Sequence, residues 1–83
     1  MRIRYFAWLR TKTGVGAEEL ARPAEVHDVD GLVRWLVARG PGYAEAFHER
    51  GAVRCAVNLD YVGFDHPLGD DDEVAFFPPV TGG

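Results

Sequence analysis

Glu73-Val74-Ala75-Phe76-Phe77-Pro78-Pro79-Val80-Thr81-Gly82-Gly83 is the stretch on which the fold turns. Its first five residues read as a strand that sets Val74 and Phe76 on one face and Phe77 on the other. Pro78 and Pro79 stop it, because proline donates no ladder hydrogen bond. Such a strand needs neighbours, and the preceding sequence supplies them. Arg2-Ile3-Arg4-Tyr5-Phe6-Ala7-Trp8-Leu9 alternates charged and apolar residues at its start, which predicts an opening strand with Ile3, Tyr5 and Ala7 on one face and Phe6 and Trp8 on the other. Thr11 to Gly16 reads as a glycine-marked turn, followed by an extended segment somewhere within Glu18 to Val26 that Pro23 confines to an edge or a strand end.

Leu32, Val33, Leu36 and Val37 recur at helical spacing and predict a helix with its body over Leu32 to Arg39. Asp30 or Asp28 is placed to cap it, and Gly40-Pro41-Gly42 to end it. One further helical turn follows at Tyr43 to His48, where Tyr43 and Phe47 stand four apart. Ala52 to Val57 and Tyr61 to Phe64 read as two strands joined by Asn58-Leu59-Asp60, and Asp65 to Asp72 as a polar connection. The order β, β, α, β, β, β predicts an α+β roll of the ubiquitin type, a mixed sheet packed on one main helix with the first and last strands parallel. Ile3, Tyr5, Val57, Val62, Val74 and Phe76 then meet Leu32, Leu36 and Val37, while Phe6, Tyr61 and Phe77 share the opposite face. Several aromatics in one exposed patch mark a docking surface. The expected division is one domain over residues 1–77 and a flexible diglycine tail over 78–83.

Composition bounds the partners. Eighty-three residues suffice for one core, and 47% hydrophobic with 27% charged residues is the balance of a soluble globule without an apolar run able to span a bilayer. Thirteen acidic against nine basic residues give a net charge of −4, which lacks the positive field that phosphate backbones require, so neither nucleic acid nor a membrane is an expected partner. The charged N-terminus carries no export signal, which predicts a cytoplasmic protein. Cys55 alternates with Val53 and Val57 and reads as a small core residue. His27, His48 and His66 have no ligand spacing, Asp70 to Glu73 reads as a solvated turn, and no metal is expected. Asp65 beside His66 suits a turn better than acid-base chemistry, since no nucleophile is near.

The paired glycines have a chemical reading of their own. Residues without side chains let another protein close around the main chain, so Gly82-Gly83 is suited to threading a narrow channel. Six residues from Pro78 to Gly83, extended at about 3.3 Å each, reach roughly 20 Å, and the prolines lessen the ordering entropy lost on insertion. Lys12 is the only lysine among the nine basic residues, which limits self-acylation by an activated terminus, although a compositional preference explains the same fact.

The Phe76-to-Gly83 string, Phe64-Asp65-His66-Pro67-Leu68 with Asp72-Glu73-Val74, Ala56-Val57-Asn58 and the opening Phe6-Ala7-Trp8-Leu9-Arg10 together resemble the small, sulfur-carrier subunit family of molybdopterin synthase. The resemblance covers both ends and the middle, while Thr11 to Arg54 agrees mainly in its helix pattern. It implies a β-grasp fold. It also implies that a ubiquitin-activating-type adenylyltransferase uses ATP to adenylate the Gly83 carboxylate, with Gly82 behind it, and that a sulfur donor converts the adenylate to a thiocarboxylate. No cofactor is then held permanently. The charged tail delivers sulfur to a pterin precursor in the molybdopterin synthase large subunit, within a heterotetramer of two copies of each subunit. Phe6, Tyr61 and Phe77 correspond to the family's partner-facing patch, Arg10 to a rim contact, and Pro78, Pro79, Val80 and Thr81 to the inserted lead-in; Tyr61 is polar-tipped where the family pattern suggests an aliphatic residue. Three alternatives share some of these features: a sulfur carrier of the same fold for thiamine, tungsten-cofactor or tRNA thiolation, a protein modifier joined to lysines, and an interaction domain whose end is never activated.

Overall fold

Residues 1–79 are described by the computed structural model of the chain. In chain order they form β1 (Arg2–Tyr5), α1 (Trp8–Thr13), β2 (Ala17–Glu19), α2 (Val29–Val37), α3 (Pro41–Ala46), a 3-10 turn (Arg50–Ala52), β3 (Arg54–Val57), β4 (Asp60–Val62) and β5 (Glu73–Phe77). The strands make one five-stranded sheet in the order β2-β1-β5-β3-β4, with β1 and β5 parallel and the other neighbouring pairs antiparallel. This is the predicted α+β roll, with the first and last strands side by side at its centre.

Register explains the core. Ile3 pairs with Val74 and Tyr5 with Phe76 across the parallel ladder, so period-two alternation sends all four to the helix-covered face. They are buried with Leu32, Leu36 and Val57, as expected, whereas Val62 and Val37 lie only partly buried at its margin. Phe47, from the turn after α3, meets the Phe76 ring edge-on at a centroid distance of 4.9 Å, and Tyr5 stacks on the other side of Phe76 at 6.2 Å.

The first strand is shorter than the alternation implied. Ala7 adopts φ 55 and turns the chain, so Trp8 opens a helix where a strand was expected through Leu9 and a turn over Thr11 to Gly16. The gain is Leu9, which the turn swings into full burial. A six-residue helix without a side-chain N-cap is weak alone, and α1 is held by packing on α3. That packing is close: a Cβ at Gly42 would lie 2.5 Å from the Lys12 carbonyl oxygen. Gly14, at φ 83, closes α1 in the left-handed conformation glycine tolerates.

Elsewhere the departures are boundary shifts with clear causes. β2 begins one residue ahead of the expected window and ends before Pro23, at the sheet edge. Asp28, rather than Asp30, caps α2, its Oδ1 accepting from the Gly31 N–H at 2.7 Å. The Val29 and Asp30 N–H groups donate to the carbonyls of His66 and Phe64 at 3.1 and 2.8 Å, so the Phe64-to-Leu68 segment satisfies the start of α2. Pro41 opens α3 instead of closing α2, because its missing N–H is harmless in a first turn. The 3-10 turn at Arg50–Ala52 delays β3 to Arg54.

One polar cluster binds the edge strand to the helices. Glu18 accepts from the Tyr5 hydroxyl at 2.8 Å, from the Tyr43 hydroxyl at 3.0 Å and from Arg39 Nη1 at 2.7 Å. Partial desolvation pushes the Glu18 carboxyl upward, but the hydrogen bonds from Arg39, Tyr5 and Tyr43 outweigh it and leave its pKa below the ordinary value. Burial, aided by the Glu18 hydrogen bond, drives the Tyr5 phenol in the opposite direction, well above its usual range. A carboxyl with a lowered folded pKa contributes stability that is present above its ordinary value of 4.5 and is lost as pH falls through the folded value. Glu18→Gln is therefore expected to reduce unfolding free energy by about 1–2 kcal/mol near neutral pH. Urea melts should show the gap between parent and variant shrinking as pH falls below about 4.5. A gap of constant size would rule out the carboxylate as its source.

Candidate functional site

The sheet face turned away from the helices is built around two small residues. Register sets Arg4, Ala75, Ala56 and Tyr61 in one row across β1, β5, β3 and β4. Ala75 and Ala56 project only a methyl group, so the centre of this face is low while Phe6, Leu59, Tyr61, Phe77 and Pro78 rise around it. The result is an open depression of about 460 Å³. Phe6 is 41% exposed and Tyr61 76%, and the Tyr61 ring packs against Phe77 at a centroid distance of 5.2 Å.

The three aromatics predicted to share a face therefore line one depression. Phe6 reaches it from just past β1, where its N–H donates to the Phe76 carbonyl at 3.1 Å and extends the ladder by one bond. Trp8, also expected there, departs with α1. Pro78 borders the depression and follows the central strand, so the chain leaves the middle of the sheet and not its edge. Val80, Thr81, Gly82 and Gly83 lie outside the described residues.

Arg10 stands beside the apolar depression, not within it. With Arg4 and Gly16 it lines a second depression of about 370 Å³, and Phe6 borders both. The Arg4 guanidinium lies over the Phe6 ring, 5.3 Å from its centroid. Among the described residues six basic side chains form ion pairs, and Arg4 and Arg10 are not among them. They form a cationic rim on one side of the patch.

Leu59 is the member that sequence reasoning missed, having been read only as part of a turn. Asn58 and Leu59 adopt φ 50 and 73, the two positive angles of a tight two-residue hairpin. Asn58 fixes this turn from the β5 side: its N–H donates to the Glu73 carbonyl at 2.8 Å, its Nδ2 to Asp72 at 2.9 Å, and its Oδ1 accepts from the Glu73 N–H at 3.0 Å. Glycine is the residue that the second position favours; an L side chain there costs about 1–2 kcal/mol. Leu59 nevertheless stands there 86% exposed. The sequence alone did not mark Leu59, because its significance rests on the positive φ that only the structure shows.

The character of this face is apolar. Among the described residues its lining holds no titratable group other than the Tyr61 phenol. Cys55 lies on the core side, where burial pushes its thiol upward, away from the reactive thiolate. The acidic connection is engaged in folding: Asp70 pairs with Arg22 at 2.8 Å, and Asp72 accepts from the Gly69 N–H at 2.7 Å, which with the Asn58 amide holds its carboxyl below the ordinary range. Among the described residues no group of three or more His, Cys, Asp or Glu is placed to hold a metal ion, and no helix is long and apolar enough to cross a membrane.

Comparison with known proteins gives this geometry a context. The sequence profile described as the ThiS family matches residues 3–83. The molybdopterin synthase sulfur carrier subunit of Escherichia coli is 45% identical over 83 residues, covering 100% of this chain and 99% of the relative. The solved Pyrococcus furiosus chain described as molybdopterin converting factor, subunit 1, superposes with a TM-score of 0.75 at 34% identity, covering 95% of each chain. The same fold recurs, with a TM-score of 0.63, 24% identity and coverage of 99% and 96%, in a solved complex of subunits 1 and 2 of molybdopterin-converting factor from Helicobacter pylori.

Adjacent phenylalanines provide a direct check on the two faces. Phe76→Ala empties a fully buried site and is expected to cost about 3–5 kcal/mol, often enough to unfold a domain of this size. Phe77→Ala, on the outer face, is expected to cost about 1 kcal/mol or less. Parallel thermal melts of the two variants measure the difference; comparable losses would place Phe77 in the core.

Proposed function

The chain belongs to the ThiS family, and on that premise we propose that it is a sulfur carrier of molybdenum cofactor biosynthesis. The observation that carries this reading is the end-to-end match to the Escherichia coli sulfur carrier subunit. The apolar outer face of the sheet supports this reading, because a carrier has to be recognised by its partners. The reacting group is then the Gly83 carboxylate, with Gly82 behind it.

A carboxylate resists nucleophiles because its oxygen is a poor leaving group. In the proposed route an adenylyltransferase joins the Gly83 carboxylate to the α-phosphate of ATP, releasing pyrophosphate. A sulfur donor then displaces AMP and leaves a terminal thiocarboxylate. ATP is a substrate of the activating enzyme and not a resident group of this chain. The large subunit of molybdopterin synthase covers the outer face, and Phe6, Tyr61 and Phe77 form the apolar contact with Arg10 at the rim. Pro78 borders that contact, so a partner seated on it receives the lead-in Pro78-Pro79-Val80-Thr81 and has the glycines directed into its interior. Two such pairs make the proposed heterotetramer.

Incubation with ATP, the activating enzyme and the sulfur donor is expected to raise the intact mass by about 16 Da, the exchange of one oxygen for sulfur. Appending one residue after Gly83 should abolish sulfur transfer with an unchanged melting curve. An extended chain that still delivers sulfur to the large subunit would contradict the mechanism.

A further inference from the structure

We propose that Leu59 is a partner-binding residue, held outward by a hairpin that is less stable for its presence. The inference rests on reading the outer sheet face as the docking face for the large subunit, and it adds a contact at the end of that face opposite Phe6.

Three observations converge. The Leu59 side chain is 86% exposed and contributes almost nothing to the core of its own chain. Its backbone lies at φ 73, where a side chain is disfavoured, so folding by itself selects against leucine here. Asn58 already secures the turn through three hydrogen bonds to Asp72 and Glu73, so the hairpin does not need Leu59 for its shape. A residue that neither packs nor shapes its turn, in a conformation that penalises it, has its role outside the chain.

Place in the fold identifies that role. Leu59 lines the same depression as Tyr61 and Phe77, and it joins β3 to β4 while Phe6 follows β1, so the apolar strip spans four neighbouring strands of the sheet. Continuity with the proposed interface commits the contact to one occupant. The large subunit must present an apolar recess wide enough for a branched aliphatic side chain, next to the surface that receives Tyr61. Fixing Leu59 before contact also reduces the ordering entropy lost in binding.

The test rests on two readouts that move in opposite directions. In the full chain, Leu59→Gly is expected to raise the melting temperature by about 2–6 °C. The same change should weaken binding to the purified large subunit, measured by titration calorimetry, by about 5- to 30-fold. Leu59→Asn, which tolerates the left-handed turn but is polar, should weaken binding similarly, and Leu59→Met should restore most of it. A Leu59→Gly chain that melts lower, or that binds as tightly as the parent while Tyr61→Ala and Phe77→Ala bind weakly, overturns the inference and leaves the docking face intact. If Tyr61→Ala and Phe77→Ala also bind at parental strength, the docking face itself is wrong and Leu59 falls with it.

Discussion

The parallel pairing of β1 with β5 is the constraint from which the rest of the molecule follows. It brings the two ends of the described chain to the centre of the sheet and sets Ile3 beside Val74 and Tyr5 beside Phe76. With that register fixed, alternation leaves no freedom about what faces outward. Ala75 and Phe77 must project away from the helices, and Ala56 and Tyr61 join them through the neighbouring antiparallel ladders. A slip of one residue would bury Phe77 and expose Phe76, exchanging the core for the outer face. The apolar outer face is thus not an addition to the fold but the other half of the pattern that makes the core.

Legibility in the sequence divides along the range of the interactions involved. Strands whose alternation is strict, such as Glu73–Phe77, and a helix with an unbroken apolar stripe, such as Val29–Val37, can be read from local pattern because local pattern is what stabilises them. The helix at Trp8–Thr13 could not be read that way. Its decisive event is the turn at Ala7, which is favourable only because Leu9 finds a cavity made by distant residues and Gly42 lets α3 approach. The outer-face aromatics were visible because exposed aromatics contradict a monomer's usual economy of surface. Leu59 was not, since a single aliphatic residue in a turn carries information only once its backbone angle is known. The family resemblance rested on short motifs whose structural work now has a physical account: Phe64-Asp65-His66-Pro67-Leu68 serves the start of α2, and Asn58 locks the hairpin onto β5.

Strained backbone is concentrated where the chain faces outward. The non-glycine residues with positive φ among those described are Ala7, Asn58 and Leu59. Ala7 directly follows Phe6, and the other two directly precede β4 with Tyr61, so all three lie beside residues that line the apolar depression. Left-handed conformations of this kind persist where surrounding structure over-determines them. Here the supports are identifiable: the burial of Leu9 on one side and the side-chain bonds of Asn58 on the other. The stable interior therefore sustains a less stable rim, and that rim holds Phe6 and Tyr61 at the margins of a hollow floored by alanine.

That arrangement separates two demands that compete in a small protein. A chain of 83 residues has a single core and little stability to spare, so a reactive centre built from buried polar groups would weaken the fold that must hold it. In the proposed route the chemistry sits on the Gly83 carboxyl, which avoids the conflict because that route asks for no titratable side chain in the sheet. On that proposal the sheet is left to supply recognition, which an apolar face can do without buried charge. The polar cluster of Glu18 with Tyr5, Tyr43 and Arg39 lies at the opposite layer, joining β2 to the helices, where its hydrogen bonds strengthen the scaffold and leave the outer face apolar.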